Sequence, residues 1–107
     1  MKKKRQKDQI SSVAPDYRDA RVGDVAVSTA GHDAGLLLVV VAGIDDKYVL
    51  VADGKHRKLI APKKKQMQHL SILTKLSKED KEKLMAREVN DSFLRKKLSS
   101  LDPAGFT

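Results

Sequence analysis

Hydrophobic and polar positions begin to alternate at Arg21, where Val25 and Val27 are interleaved with Asp24, Ala26 and Ser28, as in a strand with one buried face. A loop, Thr29-Ala30-Gly31-His32-Asp33-Ala34-Gly35, leads into Leu36-Leu37-Leu38-Val39-Val40-Val41-Ala42. The shortness and β-branched content of that run predict a buried strand rather than a helix. Residues 43–47, with Asp45 and Asp46, carry turn chemistry, and Tyr48-Val49-Leu50-Val51-Ala52 predicts a third strand. Asp53-Gly54 is the strongest hairpin signal in the chain. Residues 57–60 predict a short return strand that ends at Pro62, which has no amide hydrogen to give a neighbour. A last strand is predicted at His69-Leu70-Ser71-Ile72-Leu73, with Leu70 and Ile72 on one face. Short strands with tight turns, spaced about ten residues apart, predict a mainly β fold, a small SH3-like barrel whose closure would remove exposed sheet edges.

After Leu76 the period lengthens. Ser77 is a good N-cap, and Glu79, Asp80 and Glu82 place negative charge near the positive end of a helix dipole. Leu84, Met85, Val89, Phe93, Leu94, Leu98 and Leu101 then recur at helical spacings, with Arg95, Lys96 and Lys97 in the last turns and Pro103 and Gly105 as terminators. One amphipathic C-terminal α-helix over 77–101 is predicted. Its apolar stripe admits two readings, packing on the barrel or presentation to a partner; packing is the default, because a lone amphipathic helix gains stability mostly by burying its face.

Residues 1–19 sustain neither period and combine a basic start with Ser11, Ser12 and Pro15, which reads as a flexible basic tail. It serves either solubility or RNA contact, with Lys2, Lys3, Lys4 and Arg5 as candidate contacts. The expected organisation is therefore a tail over 1–19, a barrel over 20–74, and a helix and tail over 75–107, without internal repeats. Because residues 21–73 hold every strand signal, the barrel is expected to fold without its tails.

Charge narrows the class of partner. The 107 residues carry 22 Lys+Arg against 14 Asp+Glu, a formal net charge of +8, which favours polyanions. The absence of cysteine excludes disulfides, thiolate zinc sites and cysteine nucleophiles. No apolar run approaches the roughly 20 residues of a membrane span, and no apolar stretch follows the basic N-terminus as in a secretory signal, so a cytoplasmic protein without a membrane partner is expected. His32, His56 and His69 are widely separated, without metal-ligand spacing. No GxxxxGK[ST], GxSxG or HExxH occurs. Neither enzymatic activity nor a cofactor, metal or small-molecule substrate is expected.

Residues 21–54 resemble the KOW motif, an alternating strand, a glycine-containing loop and a second apolar strand. The matching residues are Val22-Gly23-Asp24-Val25, Ala30-Gly31-His32-Asp33-Ala34-Gly35 and the run 36–42. The continuation through Asp45-Asp46-Lys47-Tyr48, Asp53-Gly54, Arg57-Lys58-Leu59, Pro62-Lys63-Lys64-Lys65 and His69-Leu70 looks like the small bacterial KOW-domain RNA-binding proteins that are similar to archaeal and eukaryotic KOW-type large-subunit ribosomal proteins. The resemblance covers residues 21–73. It implies an RNA-binding, ribosomal-protein-like component of translation, associated with ribosomal RNA and with ribosomal proteins. It also implies that the KOW loop of Gly31, His32, Asp33 and Gly35 approaches RNA or a partner closely, with the second glycine in a conformation that a side chain would penalise. A turn-forming role for both glycines is equally open.

Family members commonly carry basic residues where this chain has His32, Ala34 and Leu36. The expected main RNA contact therefore moves to Lys55, Arg57, Lys58, Lys63, Lys64 and Lys65, a segment free of acids. Clustered cations of this kind bind phosphates and release counterions, although lysines also guard sheet edges. With Tyr17, Tyr48, Phe93 and Phe106 as the only aromatics, base stacking has little support, and structured RNA bound through phosphates is expected. The alternative is a protein-interaction adaptor in transcription or translation, as for KOW domains of NusG-type elongation factors, docking through Leu94 and Leu98 of the helix.

Overall fold

The computed structural model describes residues 21–101. The N-terminal tail with Lys2, Lys3, Lys4 and Arg5, and the terminators Pro103 and Gly105, lie outside the described residues. The strands are β1 (Asp24–Ser28), β2 (Leu37–Gly43), β3 (Tyr48–Ala52), β4 (Lys63–Gln66) and β5 (Leu70–Lys75), followed by helices α1 (Lys78–Met85) and α2 (Asp91–Leu101). They form one five-stranded antiparallel sheet of order β4-β3-β2-β1-β5.

The unbroken apolar run of β2 follows from its central place, since a strand covered on both faces has no reason to alternate. On one face Val25, Leu37, Val39 and Ala52 pack with Val22 and with Leu84, Leu94 and Leu98 of the helices. On the other, Ala26, Leu38, Val40, Val49, Val51 and Leu70 form a second cluster with Met67 against it. Register shifts at Val40/Ala42 between β2 and β3, and at Val25/Ala26 between β1 and β5, mark irregularities of the kind that bend a sheet. The outer strands β4 and β5 share no ladder, so the sheet is not closed. A 3-10 turn, Met67–His69, links them. It is fastened by the Met67 amide donating to the Lys47 carbonyl at 2.7 Å and the Thr29 amide donating to the His69 carbonyl at 2.8 Å.

Two expectations need correction. Residues 57–60 are not a strand: the Asp53 and Gly54 amides both bond the Arg57 carbonyl, the Ala61 amide bonds that of Lys58, and Ile60 is 92% exposed. The returning strand is Lys63–Gln66, paired as Val51↔Lys63, Leu50↔Lys64 and Val49↔Lys65. A lysine run lacks the apolar signature of a strand, but an edge position tolerates it and is protected by it.

The predicted single helix is two. At the end of α1, Arg87 adopts φ +59, its amide bonds the Leu84 carbonyl at 3.1 Å, and the Glu88 amide bonds that of Lys83 at 2.9 Å. This is a Schellman termination with arginine where glycine is usual, which is why composition does not reveal it. Helix α1 is capped by the Ser77 hydroxyl accepting from the Asp80 amide, as expected. The two helices are tied by the Lys97 ammonium 2.8 Å from the Asp80 carboxylate. Leu94 and Leu98 are buried against the sheet, which removes them as a docking surface.

Candidate nucleic-acid interface

The six candidate cations fall into two sets, separated by strand alternation. On β4, side chains at 63 and 65 point to one face of the sheet and Lys64 to the other. The Lys65 ammonium donates to Asp33 Oδ1 at 2.7 Å and to the Ala30 carbonyl at 2.6 Å, and the side chain is only 6% exposed. Lys63 forms an ion pair with Asp33 Oδ2 at 3.2 Å, and the Ser28 hydroxyl donates to Oδ1 at 2.8 Å. Burial would push the Asp33 carboxyl up, but the hydrogen bonds from Lys65 and Ser28, with the Lys63 ammonium beside them, outweigh it and hold the group far below the usual carboxylate range.

Asp33 in the loop after β1 thus consumes the charge of Lys65 and shares that of Lys63. Gly31 and His32 remain exposed beside it, and Gly35 takes φ +92. Lys64 stays exposed on the opposite face, its ammonium 4.4 Å from the centre of the Tyr48 ring. Tyr48 is further engaged by Gln66, whose side-chain amide donates to the hydroxyl at 3.2 Å.

The second set lies on the loop after β3. The Asp53 carboxylate accepts through Oδ1 from the amides of Lys55 at 2.9 Å, His56 at 2.8 Å and Arg57 at 2.8 Å. Its Oδ2 lies 2.9 Å from His56 Nδ1. Burial opposes ionisation of Asp53, but these donors, the Arg57 amide foremost, hold its carboxyl below the ordinary value.

The loop is also moored to α2. The Gly54 carbonyl accepts from Arg95 Nη1 at 2.7 Å, and the Leu59 amide donates to Asp91 Oδ1 at 2.8 Å. Gly54 has φ +81, and a Cβ there would run into the Asp91 carbonyl, so this position needs glycine for backbone and for space. The side chains of Lys55, His56, Arg57 and Lys58 all remain exposed. Among the described residues, the ion pairs engage Arg21, Lys63, Lys65 and Lys97, and none engages Lys55, Arg57 or Lys58.

In the sequence Arg95 reads only as a helix-end cation. Its place beside Gly54 depends on the fold of α2 against the loop, and no local pattern announces it. A second feature is equally hidden. Asp24 at the start of β1 is 1% exposed, neither of its oxygens has a hydrogen-bond donor, and Arg21 lies 3.7 Å away. Burial pushes its carboxyl up, against the opposing pull of Lys75 and Arg21.

A groove of about 700 Å³ with a mixed polar and apolar surface is lined by Val41, Leu50, Leu59, Ile60, Met85 and Arg87. No group of three or more His, Cys, Asp or Glu able to hold a metal occurs among the described residues. None of their helices is long and apolar enough to cross a membrane. Set against protein-family models and against curated proteins, the chain matches none.

Proposed function

We propose that this protein is a KOW-type RNA-binding protein, a ribosome-associated or ribosomal-protein-like factor that binds structured RNA through phosphates, on a sheet that is an incompletely closed SH3-like barrel. The observation that carries this reading is the loop after β3, where Lys55, Arg57 and Lys58 are exposed, close together in sequence and without a carboxylate partner among the described residues. Unneutralised cations on a surface loop attract a phosphate backbone and gain from counterion release. Tyr48 is occupied by Lys64 and Gln66, and Phe93 packs against the core, which leaves the described residues without an aromatic platform and favours phosphate and shape recognition over stacking.

A protein-interaction role is the second reading, and the groove with the exposed Ile60 in its lining favours it. Crosslinking in cells followed by sequencing of the attached RNA separates the two. Recovery of a defined structured RNA is expected, and recovery of protein crosslinks without RNA would overturn the RNA reading. In vitro, replacing Lys55, Arg57 and Lys58 together by alanine is expected to flatten the slope of log affinity against log salt by roughly two to three units, about 0.7 to 0.9 for each phosphate no longer neutralised.

A further inference from the structure

We infer that Asp53 is the positioning residue of the RNA-contact loop, an acid that strengthens polyanion binding by holding its cations in place, and that Arg95 joins Lys55, Arg57 and Lys58 on the same phosphate-binding surface. This rests on the proposed RNA-binding function.

An unbraced loop carrying lysine and arginine would have to order backbone and long side chains at the moment of binding, and that ordering opposes association. Here the backbone is ordered beforehand. One carboxylate oxygen collects three successive amides, at Lys55, His56 and Arg57, while the other meets the imidazole of His56. The amides of Asp53 and Gly54 both return to the Arg57 carbonyl, at 2.9 and 3.0 Å, closing the turn on itself. Two contacts to α2 fix the turn in space, Gly54 to Arg95 and Leu59 to Asp91.

The buried carboxylate faces backbone donors and His56, so its charge is spent inside the loop while the side chains of Lys55, Arg57 and Lys58 face solvent. Arg95 spends one guanidinium donor on Gly54, and its side chain is otherwise exposed next to the turn, which leaves further donors of its planar fork for a phosphate. The ligand chemistry is a rigid phosphodiester backbone, as in duplex RNA, whose fixed phosphate spacing rewards cations carried on a loop backbone that is ordered in advance.

Removing an acid from a basic loop separates positioning from charge. If charge alone governs binding, Asp53→Ala and Asp53→Asn both tighten it, because each raises the net charge equally. If Asp53 positions the loop, Asp53→Asn keeps the Oδ1 acceptor and retains or improves affinity, whereas Asp53→Ala lowers it by about tenfold, the scale of re-ordering roughly one residue of backbone on binding. Affinity for a fluorescently labelled RNA hairpin is measured for the full chain, with thermal unfolding checked for each variant.

Equal tightening in both variants overturns the inference. Hydrogen exchange on the unaltered protein supplies a readout that does not depend on the alanine variant folding. The amides of Lys55, His56 and Arg57 are expected to be protected before RNA is added, and exchange at unprotected rates would overturn the inference as well. Joint replacement of Lys55, Arg57 and Lys58 by alanine tells the two levels apart. If it leaves affinity unchanged, the RNA site itself is misplaced; if it weakens binding while Asp53→Ala does not, only the positioning role falls.

Discussion

The Lys65 ammonium lies 2.7 Å from Asp33 Oδ1 and joins the edge strand β4 to the loop after β1 across 32 residues of sequence. A triplet of lysines that reads as one cationic cluster is therefore split between a structural ion pair and an exposed charge. The consequence is a division of labour within three consecutive identical residues.

Lys65→Ala is expected to destabilise the protein by about 3 kcal/mol, the lower end for breaking a buried pair, because Lys63 remains to compensate Asp33 in part. Lys64→Ala is expected to change stability by less than about 0.5 kcal/mol, as exposed substitutions do. If Lys64 contacts phosphate, its loss flattens the salt dependence of RNA affinity by about 0.7 to 0.9. Urea unfolding and salt titrations of the two variants make the comparison. Equal stability losses would show that the ion pair does not hold the strand.

Two of the buried aspartates, Asp24 and Asp33, impose opposite pH trends. Asp33 has a lowered carboxyl, so its stabilisation is fully present above the ordinary carboxylate range and is lost as pH falls through its folded value. Asp24 has a raised carboxyl, so the folded state holds its proton more tightly than the unfolded chain, and stability falls as pH rises from the unfolded towards the folded value. Melting temperature measured from acid to neutral pH is expected to show this in the variants. The difference between Asp24→Asn and the unaltered protein shifts in favour of the variant on going to neutral pH, and that for Asp33→Asn shifts against it. Parallel profiles would contradict both assignments.

Residues 21–75 alone are expected to lose cooperative unfolding, whereas residues 21–101 retain it. Cutting away the helices removes Leu84, Leu94 and Leu98 from the cluster that covers Val25, Leu37, Val39 and Ala52, leaving an apolar sheet face in water. The sheet carries every strand signal, but stability also requires that its second face be covered. Circular dichroism with a thermal melt on both fragments decides this. A cooperative transition in the shorter fragment would mean that the cluster around Leu38 and Val40 suffices.

Gly54→Ala is expected to cost more than Gly35→Ala. Both positions have positive φ, but a Cβ at Gly35 meets nothing within 4 Å, so its penalty is confined to backbone strain of about 1 kcal/mol. At Gly54 the added carbon also collides with the Asp91 carbonyl and prises the loop away from α2. Denaturant midpoints rank the two, and equal losses would indicate that the loop and helix separate without cost.

Local pattern by itself determined the strands near Val25 and Val27, at residues 36–42 and 48–52, and at Leu70, because burial of a pleated face writes itself into a period of two or into an unbroken apolar run. It also determined the cap at Ser77, where one hydroxyl serves an amide three residues away. Tertiary structure alone decided the rest. Lys63–Gln66 is a strand because β3 offers it an edge, and its composition says nothing of that. The helical stripe breaks at Arg87, where the chain turns in a conformation that composition assigns to glycine. The charge of Lys65 is consumed by Asp33, and Arg95 meets Gly54 across 41 residues. Charge is a property of a residue, but its availability depends on which groups the fold brings within a few ångströms, and those neighbours are distant in sequence.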